Sequence, residues 1–180
     1  MAYTIRKARL EDRSRISELI AESARGLSRE HYDDAQIEAA IITVFGVDTD
    51  LIEDGTYFVA EDGDTLAGCG GWSRRKTLFG GDQFAVRDTS YLEPLIEAAK
   101  IRAFFVHPDH ARKGIAQAIL EECEREAAAH GFRAIELMAT LPGVKFYQAC
   151  GYTEQGTYDL ELIDSVKLEL VPMRKQLQGS

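Results

Sequence analysis

Several residue types that announce protein classes are scarce in this chain. Its 180 residues hold three cysteines, Cys69, Cys123 and Cys150, which are odd in number, scattered and in no metal-ligand spacing. That speaks against a disulfide framework and a thiolate metal site, and reduced thiols in a cytoplasmic protein are expected. No apolar run approaches the length that spans a bilayer, and the opening MAYTIRKAR lacks the apolar segment of a secretion signal. Basic residues are in deficit. Against 30 Asp and Glu stand 21 Lys and Arg, and the net charge of −9 argues against a nucleic-acid-binding surface. A polyanionic ligand would therefore have to be held by local features, not by the field of the whole molecule. A Walker loop, a Gly-x-Gly-x-x-Gly pattern, zinc spacing and a Ser-His-Asp order are all missing. Internal repeats are missing too. What remains is an ordinary composition, 45% hydrophobic and 28% charged, in a length that suits one domain over residues 1–180.

The most informative stretch is Ile101 to His130. Ile101 to Val106 is apolar and partly β-branched, and reads as a buried strand. His107 to Lys113 holds Pro, Asp, two His and a basic pair, and reads as a turn. From Gly114 onward Ile115, Ala116, Ile119, Leu120, Cys123 and Ala127 fall at helical spacing, and Gly131 stops the helix. The first turn of a helix leaves about four backbone N–H groups without partners, at the positive end of the macrodipole. Such a terminus holds anions. Gly114 lacks a Cβ, so a ligand could approach the backbone closely there, and Arg112 and Lys113 add full charges. The same spacing also fits an ordinary strand-to-helix turn with two solvated basic residues.

VHPDHARKGIAQAIL resembles the coenzyme A signature of the GNAT superfamily of N-acetyltransferases, Arg/Gln-x-x-Gly-x-Gly/Ala after a strand. Gly114 and Ala116 match it. Ala111 departs from it, standing where the family has Arg or Gln, a position that lends mostly its backbone amide. A second segment, VKFYQACGY from Val144 to Tyr152, resembles the short family helix that carries Phe-Tyr before a Gly and an aromatic. The resemblance implies acetyl-CoA as cosubstrate and no metal. It places Phe104, Phe105, Val106, Ala111, Arg112, Lys113, Gly114, Ile115, Ala116, Thr140 and Phe146 at the cofactor. Thr140 stands where the family often has Asn, so its contact is a hydroxyl at most.

The rest of the chain supports the same expectation. Tyr3–Ala8 reads as a strand. A helix follows from Leu10 to Leu27, capped by Asp12 or Ser14, with Ile16, Leu19, Ile20 and Ala24 on one face. A second is expected from Tyr32 to Phe45, with Ile37, Ala40, Ile41 and Val44 as its stripe. Asp62-Gly63-Asp64 predicts a hairpin between Thr56–Glu61 and Thr65–Ser73, and Gly68, Gly70 and Gly71 predict a bulge or a close approach. Arg74 to Ala98 is a long connection of the kind that is usually functional or mobile. A strand from Arg133 to Thr140, a helix from Val144 to Cys150 and a closing pair, Tyr152–Glu161 with Val166–Met173, complete the chain. The order is β-α-α-β-β-β-α-β-α-β-β, an α/β fold with a mixed sheet of about seven strands flanked by about four helices. It resembles the GNAT fold over nearly the whole chain, and in that family the fourth and fifth strands splay apart.

Acetyl transfer to an amine needs a neutral amine, a donor aimed at the developing oxyanion and a proton for the departing thiolate. By resemblance the Val106 N–H is the oxyanion donor and Tyr147 the general acid, whereas Phe146 and Tyr152 also suit plain packing. The general base stays open among Asp33, Asp34, Glu53, His107 and His110. The acceptor is expected to be an amine of a small molecule or peptide, and a homodimer is left open. A longer acyl-CoA, or an acyl-CoA-binding module without turnover, are the alternatives. Glu30, Asp33, Asp34, Asp48 and Asp50 on one segment, and Arg74, Arg75 and Lys76 on another, are expected to face the acceptor.

Overall fold

The computed structural model describes residues 3–177, so both ends of the expected 1–180 domain lie outside the described residues. The elements are β1 (Thr4–Lys7), α1 (Arg13–Leu27), α2 (Asp34–Thr43), α3 (Thr49–Asp54), β2 (Tyr57–Asp62) and β3 (Thr65–Ser73). They continue as β4 (Ala99–Val106), α4 (Ile115–Ala129), β5 (Ala134–Thr140), α5 (Val144–Ala149), β6 (Thr153–Glu154), β7 (Tyr158–Glu161) and β8 (Lys167–Gln176). Two features go beyond the expected order. α3 is a six-residue helix, too short to show a period in sequence, and it closes on Gly55 at φ 73°. The strand expected over Tyr152–Glu161 is broken into β6 and β7, with Gly156 at φ 109° between them.

The sheet runs β1-β2-β3-β4-β5-β8-β6, with β7 also on β8, and every pairing but β4 with β5 is antiparallel. Apolar side chains cover both faces. α1 and α2 bury Ile16, Leu19, Ile20, Ala24, Ile37 and Ala40 against Val59, Leu66, Leu168 and Leu170. On the other face α4 buries Ile115, Ile119, Leu120, Cys123 and Ala127 against Ala60, Trp72, Ile101, Ile135 and Met173. The helix stripes predicted from spacing are thus the buried ones, with Ile41 and Ala116 only partly so. Their removal from water is the main stabilising term, at about 1.5–3 kcal/mol for each large side chain.

The α1 cap differs from expectation. A 3-10 turn, Leu10–Asp12, precedes the helix, and the Asp12 carboxylate binds the Arg6 guanidinium and the Arg9 N–H, not an α1 amide. At α2 the cap is Asp33, which accepts from the Gln36 N–H at 2.8 Å while the Gln36 side chain accepts from the Asp33 N–H.

The connection over residues 74–98 is a built strap, not a slack loop. Its two arms pair through Leu92 N–H to the Arg74 carbonyl, Lys76 N–H to Ser90 and Thr77 N–H to Asp88. Its tip docks on the link between α2 and α3, where Asp82 accepts from the Thr49 N–H at 2.7 Å and Gln83 donates to the Phe45 carbonyl at 2.9 Å. Phe79 of the tip stacks obliquely on Tyr158 of β7, ring centroids 6.2 Å apart.

Candidate active site

β4 and β5 hold register only at Ala99 with Ile135 and Lys100 with Glu136. Beyond that they part. The cause lies in β4, where Ala103 sits at φ 57° and the register with β3 shifts between Cys69 and Gly71. One extra residue in β4 bends it away from β5. The extra residue lies in β4, not in the glycine-rich β3, whose glycines make room for it. A Cβ at Gly70 would lie 2.5 Å from the Phe104 ring, and one at Gly68 would lie 2.8 Å from Ile115.

Past the bulge, successive residues of β4 serve opposite faces. Phe105 packs on the α1–α2 side, its ring 5.5 Å from Phe45, while Phe104 joins the α4 side. The His107 N–H donates to the Ala67 carbonyl at 2.9 Å. In an antiparallel ladder neighbouring amides alternate direction. The Val106 N–H accordingly turns to the other edge of β4, into the gap that β5 has left.

At the head of the gap the chain turns into α4 through two left-handed residues, Arg112 at φ 62° and Gly114 at φ 81°. Left-handed residues alternating with helical ones aim consecutive N–H groups inward, as in anion-binding nests. The N–H groups of Arg112, Lys113, Gly114, Ile115 and Ala116 find no acceptor among the described residues. That of Ala111 is turned back onto Pro108 at 3.4 Å, so the residue that departs from the signature also contributes a less available amide. A Cβ added at Gly114 would meet no atom within 4 Å, so the space before these amides is open. Arg112 and Lys113 are exposed and form no ion pair with any described residue. Ile115 is the exception within this group, since its side chain is buried under α4. Free amides, open space and two unpaired cations suit a diphosphate.

Across the gap from β4, Tyr147 of α5 is buried with its ring 6.5 Å from Phe104, 5.1 Å from Phe146 and 5.7 Å from Tyr152. Its hydroxyl makes no hydrogen bond to a described residue. Burial, and next the nearby Cys123 and Cys150, push the phenol well above its ordinary value. Tyr147 is thus a weaker acid than a free phenol, one that keeps its proton. Tyr152 differs in that its hydroxyl donates to Glu124 at 2.8 Å, a structural bond. Thr140 closes β5 beside the same helix, its Oγ1 3.6 Å from where a Gly143 Cβ would lie.

The candidate bases differ in what they touch. Asp33 caps α2, His107 meets Glu22 of α1 at 2.8 Å, and His110 meets the Tyr3 hydroxyl at 3.2 Å. Asp34 and Glu53 are exposed on their helices. Of the acids expected to face the acceptor, Glu30, Asp33 and Asp34 are exposed, but Asp48 and Asp50 are drawn into ion pairs. Asp48 is fully buried between Arg102 at 3.3 Å and Arg87 at 3.0 Å, Asp50 pairs with Arg87 at 2.8 Å, and Arg75 grips Asp54 with two bonds of 2.8 Å. These charges hold the strap to α3 and the sheet. Burial drives the Asp48 carboxyl up and the Arg102 guanidinium down, against the mutual attraction of the pair.

Tyr32, the expected first residue of the second helix, lies before α2 and has a specific packing role. Its hydroxyl donates to the Glu169 carbonyl at 2.6 Å and accepts from the Leu141 N–H at 2.9 Å, which fixes the α1–α2 link to β8 and to the end of β5.

The chain belongs to the acetyltransferase (GNAT) family, whose model matches residues 14–152. Solved structures share the fold at low identity. A GCN5-related N-acetyltransferase from Rhodopseudomonas palustris is 16% identical, with a TM-score of 0.72 over 98% of this chain and 97% of that one. The PaiA N-acetyltransferase of Thermoplasma acidophilum, solved in complex with coenzyme A, is 17% identical, with a TM-score of 0.63 over 98% and 99%. The yncA product of Salmonella typhimurium, solved with acetyl-CoA, is 18% identical, with a TM-score of 0.64 over 100% and 96%. No curated protein matches the sequence. Among the described residues no group of three or more His, Cys, Asp or Glu could hold a metal ion, and no helix is long and apolar enough to cross a membrane.

Proposed function

We propose that this chain transfers the acetyl group of acetyl-CoA to a primary amine of a small molecule or peptide. The observation that carries the reading is the open row of amides from Arg112 to Ala116 at the head of the β4–β5 gap. Those amides, with Arg112 and Lys113, would hold the diphosphate, and Phe104, Phe105, Thr140 and Phe146 would border the arm that enters the gap. Bound there, acetyl-CoA supplies the activated acetyl group.

The protein's part is then electrostatic and positional. The Val106 N–H donates to the carbonyl oxygen as negative charge develops on it, a contribution of about 3–4 kcal/mol where such donors have been removed. The amine nitrogen bonds to the carbonyl carbon, the carbon–sulfur bond breaks, and Tyr147 gives its proton to the leaving sulfur. The amine loses its own proton to solvent. The buried phenol is protonated before transfer at neutral pH, and the phenolate left behind regains a proton from solvent before the next turnover. The test is release of free thiol from acetyl-CoA with a panel of amines including hexylamine. Amine-dependent release is expected. Release with no amine of the panel would refute the reading.

A further inference from the structure

The sheet face toward α1 and α2 holds a second feature, apart from the gap. A pocket of about 210 Å³ is lined by Leu78 of the strap, Glu136 and Leu137 of β5, Gln155, and Met173 and Arg174 of β8. Across its floor run three charged residues in register. Lys100 donates to Glu136 at 2.8 Å, and Arg174 donates to the other oxygen of the same carboxylate. Lys100 alone is enough to neutralise Glu136. The row therefore carries one positive charge in excess, in a protein whose net charge is −9.

That charge is on Arg174. Only its Nη1 is engaged, while Nε and Nη2 bond to no described residue, and its side chain is 36% exposed at the pocket. A guanidinium offers a two-pronged fork that matches a carboxylate. The apolar walls beside it, Leu78 and Pro172, reduce the screening of such a pair by water.

The pocket's distance from the gap sets the shape of what could use both. Glu136 lies at the level where β4 and β5 still pair, and Arg174 is its partner in β8. Val106 lies six residues up β4 from Lys100, one of them taken up by the bulge. Five residues of strand rise on the order of 16 Å. The reach of Arg174 and the length of the acetyl group take up several ångströms of that. What is left is about 10 Å, the extended span of three residues of peptide.

We propose, on the acetyl-transfer reading above, that Arg174 binds a carboxylate of the acceptor, and that this carboxylate lies about 10 Å from the reacting amine, as in a short peptide with free ends. An α-amino acid is too short to use both sites.

The experiment compares Gly-Gly-Leu with its C-terminal amide, two acceptors that differ only in the carboxylate. Wild-type kcat/KM should be at least tenfold higher for the acid, and glycine should be poorer than either. In Arg174→Gln the acid-to-amide ratio should fall to near one, and Arg174→Lys should keep part of it. An equal preference in the wild type, or a ratio unmoved by Arg174→Gln, overturns the proposal. A parallel calorimetric titration of both peptides into protein saturated with coenzyme A decides the point without turnover. Tighter binding of the acid, lost in Arg174→Gln, supports the carboxylate site, and equal binding refutes it. Thiol release with hexylamine tests acetyl transfer separately, so the two ideas fail by different readouts.

Discussion

Gly114→Val separates the two properties assigned to the head of α4. Gly114 is left-handed at φ 81°, and a Cβ there would touch no protein atom. The cost to the free protein is therefore backbone strain alone, about 1–2 kcal/mol for an L-residue in that region. In a domain of this size such a loss lowers Tm by roughly 2–8 °C. The effect on ligand should be larger, because the new side chain fills the open space in front of the Arg112 to Ala116 amides. At a hundredfold excess over its Kd, acetyl-CoA stabilises the folded state by about 2.7 kcal/mol, a rise of roughly 5–11 °C. If the substitution weakens binding a hundredfold, the same concentration gives about 0.4 kcal/mol, or only 1–2 °C on roughly the same scale. Gly114→Ala carries the same backbone cost with a single methyl and should retain more of the rise. Thermal unfolding with and without acetyl-CoA reads both numbers in one experiment. A full ligand-induced rise in Gly114→Val would mean that the cofactor does not sit on these amides.

Tyr147→Phe removes a hydroxyl that no described residue contacts, so Tm should hold within about 0.5 kcal/mol of stability while turnover falls roughly ten- to a thousandfold. Equal turnover would move the proton donor elsewhere. With the phenol held protonated, the pH profile for an alkylamine should climb as the amine deprotonates, with no descending limb below about pH 10; a fall beginning near pH 8 would contradict the assignment. Asp48→Asn leaves Arg102 buried without its counter-charge and should cost about 3–5 kcal/mol, measured by denaturant titration; a loss below about 1 kcal/mol would show that the pair is not desolvated. Arg6 holds the Asp12 carboxyl at about 2, below its unfolded value. A depressed carboxylate stabilises the fold above the unfolded pKa, so roughly 2 kcal/mol should be present above about pH 4 and drain away as pH falls toward 2. Asp12→Asn should flatten that acid limb, and an unchanged limb would assign it to other carboxylates.

How legible each part was depends on how far its determinants lie apart in the chain. The strand, turn and helix from Ile101 to His130 are contiguous, so their spacing alone located the turn and the helix start with its unpaired amides. The strap is different. Its anchors, Asp48 with Arg87 and Arg102, and Asp54 with Arg75, join distant residues, and in sequence each looks like an ordinary solvated charge. Burial turned them into structure. Asp48 and Asp50 were misjudged for that reason. The opening of the sheet was foreseen only through family resemblance, because its cause is an alanine in a conformation that composition does not announce. Arg112, also left-handed, is equally silent. Tyr32 gave no signal, since its partners at Leu141 and Glu169 are more than a hundred residues away.

The position of β8 bears on the order in which the chain can fold. Among the described strands it is the last in chain order, yet it lies inside the sheet, with β5 along one edge and β6 and β7 along the other. β1 to β4 pair among themselves and can close soon after synthesis. β5 cannot. Beyond its two contacts with β4 it waits with an open edge until Lys167–Gln176 emerges, and such an edge invites pairing with other chains. Emergence of Lys167–Gln176 is therefore the step that completes the β5–β8 half of the sheet, and nascent chains stalled just short of it should be the aggregation-prone species.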